Sequence, residues 1–144
     1  MTGHDDTAPR DLTPPPAGAE WTGRVALAWI DYARDLVMEV RGGNLSHPFD
    51  FYRPRVEYSD TADVYGPADD RACAYAGEEY DLRTGGTWHR VAIMASAVGG
   101  PHVRTQIGRG SRAIKIHLDG DTARDRELIA GAFRMADLYP EGTA

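Results

Sequence analysis

The sequence predicts an α+β domain: an N-terminal helix, an antiparallel sheet of four to six strands and a C-terminal helix. Hydrophobic periodicity carries that expectation. Apolar residues recur every three or four positions near both ends of the chain and alternate with polar ones in between. Glycine-bearing turns join the alternating runs in pairs, the mark of antiparallel hairpins. A length of 144 residues fits one domain and not two. A composition that is 42% hydrophobic and 26% charged supplies both a core and a solvated surface.

Residues 1–19 hold Pro9, Pro14, Pro15 and Pro16 and almost no large apolar side chain. They predict a disordered, acidic, proline-containing tail ahead of a domain spanning residues 20–140. From Glu20 to Arg41 the period is helical: Val25, Ala28, Trp29, Tyr32, Ala33, Leu36, Val37 and Val40 form one face, with Asp31, Arg34, Asp35 and Glu39 mostly between them. Gly42-Gly43-Asn44 ends that helix, because glycine accepts the left-handed cap conformation. Residues 44–54, broken by Pro48 and Pro54 but carrying Phe49, Phe51 and Tyr52, predict a loop tucked over the core, or the rim of a ligand pocket.

Arg55–Ser59 and Ala62–Tyr65 are short strand candidates, and Pro67–Asp70 a turn or helix start. Tyr80–Arg83 and Trp88–Ile93 flank Thr84-Gly85-Gly86-Thr87 and predict a hairpin. Val103, Thr105 and Ile107, then Ile114, Ile116 and Leu118, predict a second hairpin around a loop of Gly108–Ser111. Thr122–Tyr139 reads as the last helix, with Leu128, Ile129, Ala132, Phe133 and Ala136 as its buried stripe. Asp119-Gly120-Asp121 reads as the turn and N-cap that start it, with Asp125 in the first turn, rather than as a carboxylate cluster for a cation. Trp21, Trp29 and Trp88 are expected to pack in or against the core. A second parse makes 70–83 and 87–98 helices joined through Gly85-Gly86 ahead of the 102–118 hairpin, which is the order of a winged helix-turn-helix.

No run of about 18 apolar residues is present, so no membrane span is expected. The opening MTGHDDTAPR has no basic or apolar signal region, and the lone Cys73 forms no internal disulfide. Both point to a small soluble cytoplasmic protein. No GxSxG, HExxH, CxxC or GxGxxG occurs, and His102 and His117 have no third ligand at motif spacing. Neither a cofactor nor a metal is therefore expected.

One charge anomaly stands out. Between Asp81 and Asp119 there is no acid, yet that stretch holds Arg83, Arg90, Arg104, Arg109, Arg112 and Lys115, with His89, His102 and His117, in a chain of net charge −6. Net charge hides this asymmetry. Arginine is the default base here, since Lys115 is the only lysine, so a single arginine says little about specific recognition. A four-residue loop places Arg104 across from Lys115 and His102 across from His117, with Arg109 and Arg112 at the tip. Like charges opposed at about 5 Å cost stability, and an anion relieves them.

These observations lead to a non-catalytic binding or regulatory module that presents the 102–118 hairpin to a polyanion, nucleic acid before a phosphorylated ligand. Arg90, Arg104, Arg109, Arg112 and Lys115 supply phosphate contacts, and His102 and His117 add pH-dependent charge. The enzyme alternative is a small metal-independent phosphodiester hydrolase, with His102 and His117 as base and acid and Lys115 stabilising the transition state. A protein–protein adaptor or dimerisation domain is the third reading, with an acidic partner or a second copy on the basic face. Asp63, Asp69, Glu78 and Glu79 are the acids of the same chain that compete to neutralise that face.

Overall fold

Thr22 starts the first helix. Its backbone is extended (φ −127°, ψ 171°) and its Oγ1 accepts the Val25 N–H at 3.1 Å, satisfying one of the donors that a helix start leaves open. In the computed structural model, which describes residues 12–16, 18–46, 55–57, 75–97 and 102–143, α1 runs Gly23–Arg41. Its buried stripe is Ala26, Ile30, Ala33 and Val37, with Tyr32 and Leu36 beside it. The face is thus rotated from the expected one: Ile30 lies at its centre and Ala28 is exposed. Gly42 (φ +73°) closes the helix, its N–H donating to the Met38 carbonyl at 2.8 Å. Gly43 is required for a separate reason. At φ +85° it lies so close to the sheet that a Cβ would fall 2.2 Å from the Arg83 carbonyl oxygen.

Among the described residues, seven strands form one antiparallel sheet: β1 (Asn44–Ser46), β2 (Arg55–Glu57), β3 (Tyr75–Thr84), β4 (Thr87–Ser96), β5 (His102–Ile107), β6 (Ile114–Leu118) and β7 (Gly142–Thr143). The order is β1-β3-β4-β5-β6, with β2 also on β3 and β7 also on β4. The four strands β3–β6 are a meander, each paired with the next in sequence. The expected α+β architecture is the one observed, and the winged helix-turn-helix parse is corrected: residues 75–84 and 87–96 pair as strands at every position from Tyr75↔Ser96 to Thr84↔Thr87. Gly85-Gly86 makes the two-residue turn between them, with Gly85 at φ +62°.

The last helix, α2 (Thr122–Ala136), starts at Asp121, whose side chain accepts the Arg124 N–H at 3.3 Å. It ends three residues before the expected Tyr139 and buries Ile129, Ala132, Phe133 and Ala136 as expected. Leu128 is only partly buried; the additional fully buried residue is Asp125. α1 crosses β3, β4 and β5, α2 crosses β5 and β6, and the helices touch each other. Their apolar faces meet Ala76, Tyr80, Leu82, Val91, Ile93, Val103, Ile107 and Leu118 on one side of the sheet. Truncating a buried side chain such as Ile30 or Ile93 to alanine costs about 2–5 kcal/mol.

The segment before α1 also touches this body. Leu12 packs against the core, and Pro14 lies beside Trp29 and Gly120. Residues 1–11, the aromatic stretch 47–54, the strand candidate Ala62–Tyr65, the turn at Pro67–Asp70 and Cys73 lie outside the described residues. None of the described helices is long and apolar enough to cross a membrane.

Candidate anion-binding site

Strand alternation divides the acid-free stretch between two faces. On β4, His89, Val91, Ile93 and Ala95 point to the helices, and Trp88, Arg90, Ala92 and Met94 point the other way. On β5 and β6, Val103, Thr105, Ile107 and Leu118 are buried, while Arg104, Gln106, Lys115 and His117 share the second face with the outward residues of β4. Glu79 and Asp81 of β3 complete it.

The register of the second hairpin corrects the expected one. Arg104 is opposite His117, Gln106 opposite Lys115, and Ile107 opposite Ile114. The loop spans Gly108–Ala113 instead of four residues, because Gly110–Arg112 form a 3₁₀ turn closed by the Ala113 N–H on the Gly110 carbonyl at 3.2 Å. A slip of two keeps every side chain on its face but changes its neighbour. The expected stack of Arg104 on Lys115 is therefore replaced by polar Gln106 between charged neighbours. His102, whose backbone pairs with Ser96, is not the cross-strand partner of His117; its side chain lies outside the described residues. The two-histidine hydrolase loses the directly opposed pair on which it was drawn.

The predicted cations fall into three groups. Arg90 is neutralised within the fold: its Nε donates to Asp81 at 2.6 Å and its Nη1 to Glu79 at 2.9 Å. Burial alone would favour its neutral form, but the hydrogen bonds to Asp81 and Glu79 outweigh that and hold the guanidinium more firmly charged. Arg109 and Arg112, at the tip, engage the segment after α2. Arg109 meets Glu141 at 3.1 Å and lies 5.7 Å from the Trp88 ring centroid, and Arg112 lies 4.4 Å from that of Tyr139. Trp88 is thus a platform on the second face and not a core residue. Arg104 and Lys115 form the third group, and among the described residues they have no ion pair. The competing acids divide likewise: Glu79 goes to Arg90, and Glu78 faces the helices and pairs with Arg34 at 2.8 Å. Asp63 and Asp69 lie outside the described residues.

Two polar clusters that the sequence did not disclose sit on the helix side. Asp137, just past α2, receives both Arg41 nitrogens (2.9 and 2.7 Å) and lies 3.0 Å from Nε2 of the buried His89. The Arg41 hydrogen bonds, with His89 second, hold the Asp137 carboxyl below the usual aspartate range. Arg41 also stacks 4.9 Å from the Phe133 centroid. The second cluster centres on Asp125, which accepts from the Tyr32 hydroxyl at 2.7 Å and the Gly120 and Asp119 N–H groups at 3.0 and 3.3 Å. Both join α2 to the rest of the fold, and neither opens onto a described cavity. Among the described residues, no three His, Cys, Asp or Glu side chains gather as metal ligands.

The fold and the site together define a small α+β module with helices on one sheet face and a basic strip on the other. Comparison with protein-family models, with curated proteins and with solved structures finds no match to the chain.

Proposed function

We propose that the chain is a non-catalytic binding module whose β5–β6 strip takes a polyanion, nucleic acid first. The observation that carries this reading is the pair Arg104 and Lys115. In an acidic protein whose Arg34, Arg41, Arg90, Arg124 and Arg126 all hold carboxylates, these two cations lie on one sheet face with no ion pair among the described residues. His117 stands directly across from Arg104 on the same face. Arg104 and Lys115 are diagonal neighbours on adjacent strands, about 7–8 Å apart, and two cations so spaced match successive phosphates better than a single small anion.

The test is fluorescence anisotropy of labelled oligonucleotides at about 50 and 200 mM salt. Each phosphate contact contributes nearly one unit to the slope of log affinity against log salt. Arg104→Ala with Lys115→Ala is expected to weaken binding and to flatten that slope by about two units. An unchanged slope refutes the assignment, as does absence of binding at the lower salt. Running the samples on a denaturing gel reports whether the bound strand stays intact, which the module requires.

A further inference from the structure

We infer that the segment from Leu138 to Thr143 is a built-in occupant of the hairpin tip, and that single-stranded nucleic acid binds there by displacing it. The inference rests on the anion-binding reading and names the form of the ligand.

β4 is longer than the part of it that β5 covers. The β4–β5 register runs only from Val91↔Ile107 to Ser96↔His102, so Thr87–Arg90 need another neighbour on that edge. The chain supplies one from more than 50 residues further along. β7 pairs with Thr87 and Trp88, and the Glu141 carboxylate accepts the Arg90 backbone N–H. The same carboxylate meets the Arg109 guanidinium. A backbone N–H and an arginine converging on one carboxylate are also the donors that hold a phosphate.

Tyr139 adds the second half. Its ring lies under the Arg112 guanidinium, two residues before the acid. Arginine planes stack unpaired bases as they stack tyrosine, and bases of a duplex are not free to do so. The sequence Tyr139-Pro140-Glu141 thus sets a ring and an anion on the two tip arginines in the way one nucleotide of a single strand presents base and phosphate. Both tip arginines, drawn from the acid-free stretch, are engaged by this one segment.

The contact is built to be released. β7 has two residues, and Leu138 and Tyr139 remain 67% and 54% exposed. Little apolar surface is lost when the segment leaves, and elements with so few buried contacts open at low cost. Asp137, clamped by Arg41 and His89, keeps the segment tethered at its start.

A strap closed nine-tenths of the time lowers apparent affinity about tenfold. Glu141→Gln is therefore expected to bind a labelled single-stranded 12-mer about five- to tenfold more tightly than wild type. Glu127→Gln, which removes the same charge from the exposed side of α2, is expected to change it less than about twofold. Tyr139→Ala is the second release variant, and Arg109→Ala should abolish the gain from Glu141→Gln. The duplex of the same sequence should gain less than the single strand. Melting temperatures establish that each variant is folded. Equal effects of Glu141→Gln and Glu127→Gln, or equal gains for duplex and single strand, overturn the inference. If those results come with binding that still depends on Arg104 and Lys115, the strip remains an anion site and only the strap falls. If no variant binds either nucleic acid at about 50 mM salt, the underlying reading fails and the strap falls with it.

Discussion

Asp125→Ala is expected to destabilise the protein by about 2.5–4.5 kcal/mol, far more than an ordinary first-turn substitution. The carboxylate has no solvent exposure and accepts three hydrogen bonds, from Tyr32, Gly120 and Asp119. Alanine takes the acceptor from the two part-buried backbone donors, at roughly 1–2 kcal/mol each. It also removes a negative charge from the start of α2, worth about 0.5 kcal/mol. The Tyr32 hydroxyl fares better, because the Thr122 Oγ1 stands 3.3 Å away. Asp125→Asn keeps the shape and one acceptor but turns an NH₂ group towards donors, so about half the loss is expected. Urea unfolding followed by tryptophan fluorescence measures both. Tyr32→Phe combined with Asp125→Asn should couple by at least about 0.5 kcal/mol, because the two side chains share a bond. An alanine variant within about 1 kcal/mol of wild type, or strictly additive Tyr32 and Asp125 effects, would refute the account of this cluster.

Three further outcomes follow from other sites. Thr105 is fully buried and its Oγ1 has no hydrogen-bond partner among the described residues, so Thr105→Val should raise stability by about 1 kcal/mol, seen as a higher melting temperature. Gly43→Ala meets a backbone carbonyl at 2.2 Å with φ at +85° and should cost at least about 2 kcal/mol, whereas Gly85→Ala meets open space at φ +62° and should cost about 1 kcal/mol; equal melting temperatures for the two would contradict the close approach of α1 to β3. The Asp137 carboxyl is held below its unfolded value, so its contribution is present above a pH of about 4 and is lost as pH falls through the depressed folded value. Asp137→Asn should therefore lower stability at neutral pH and make the acid-side fall below about pH 4 shallower in urea titrations.

Local features were legible in the sequence and distant partners were not. The end of α1 is legible in Gly42-Gly43 and the Gly85-Gly86 turn in its flanking alternation, because each depends on residues within one turn of itself; the start lies at the Thr22 cap and not at Glu20, where the periodic run begins. The alternating run Val103–Leu118 also showed which residues face the core. Its register was missed by two, since alternation is blind to a shift that preserves the face and the 3₁₀ turn at Gly110–Arg112 leaves no periodic trace. The 70–83 stretch can be parsed as a helix because Glu78 interrupts the apolar side of the alternation that a strand would show, and it is buried there against Arg34. Of the site, the acid-free stretch was visible as a run in the chain. The removal of Arg90 by Asp81 and of Arg109 by Glu141 was not, because the second of those pairs brings together residues more than thirty apart.

The meander has an effect on the electric field of the molecule. Consecutive strands lie side by side, so distance along residues 75–118 becomes distance across the sheet. Glu79 and Asp81 stand near one edge, Arg90 is pinned between them and the middle, and Arg104, Lys115 and His117 run to the other edge. On this face Arg83 and Arg90 offset Glu79 and Asp81, so the charge left over is the positive one on β5 and β6. That local excess stands in a chain of net charge −6. For the polyanion proposed above, such an excess on one side of the sheet would favour approach to the β5–β6 side during diffusion, and more strongly the lower the ionic strength.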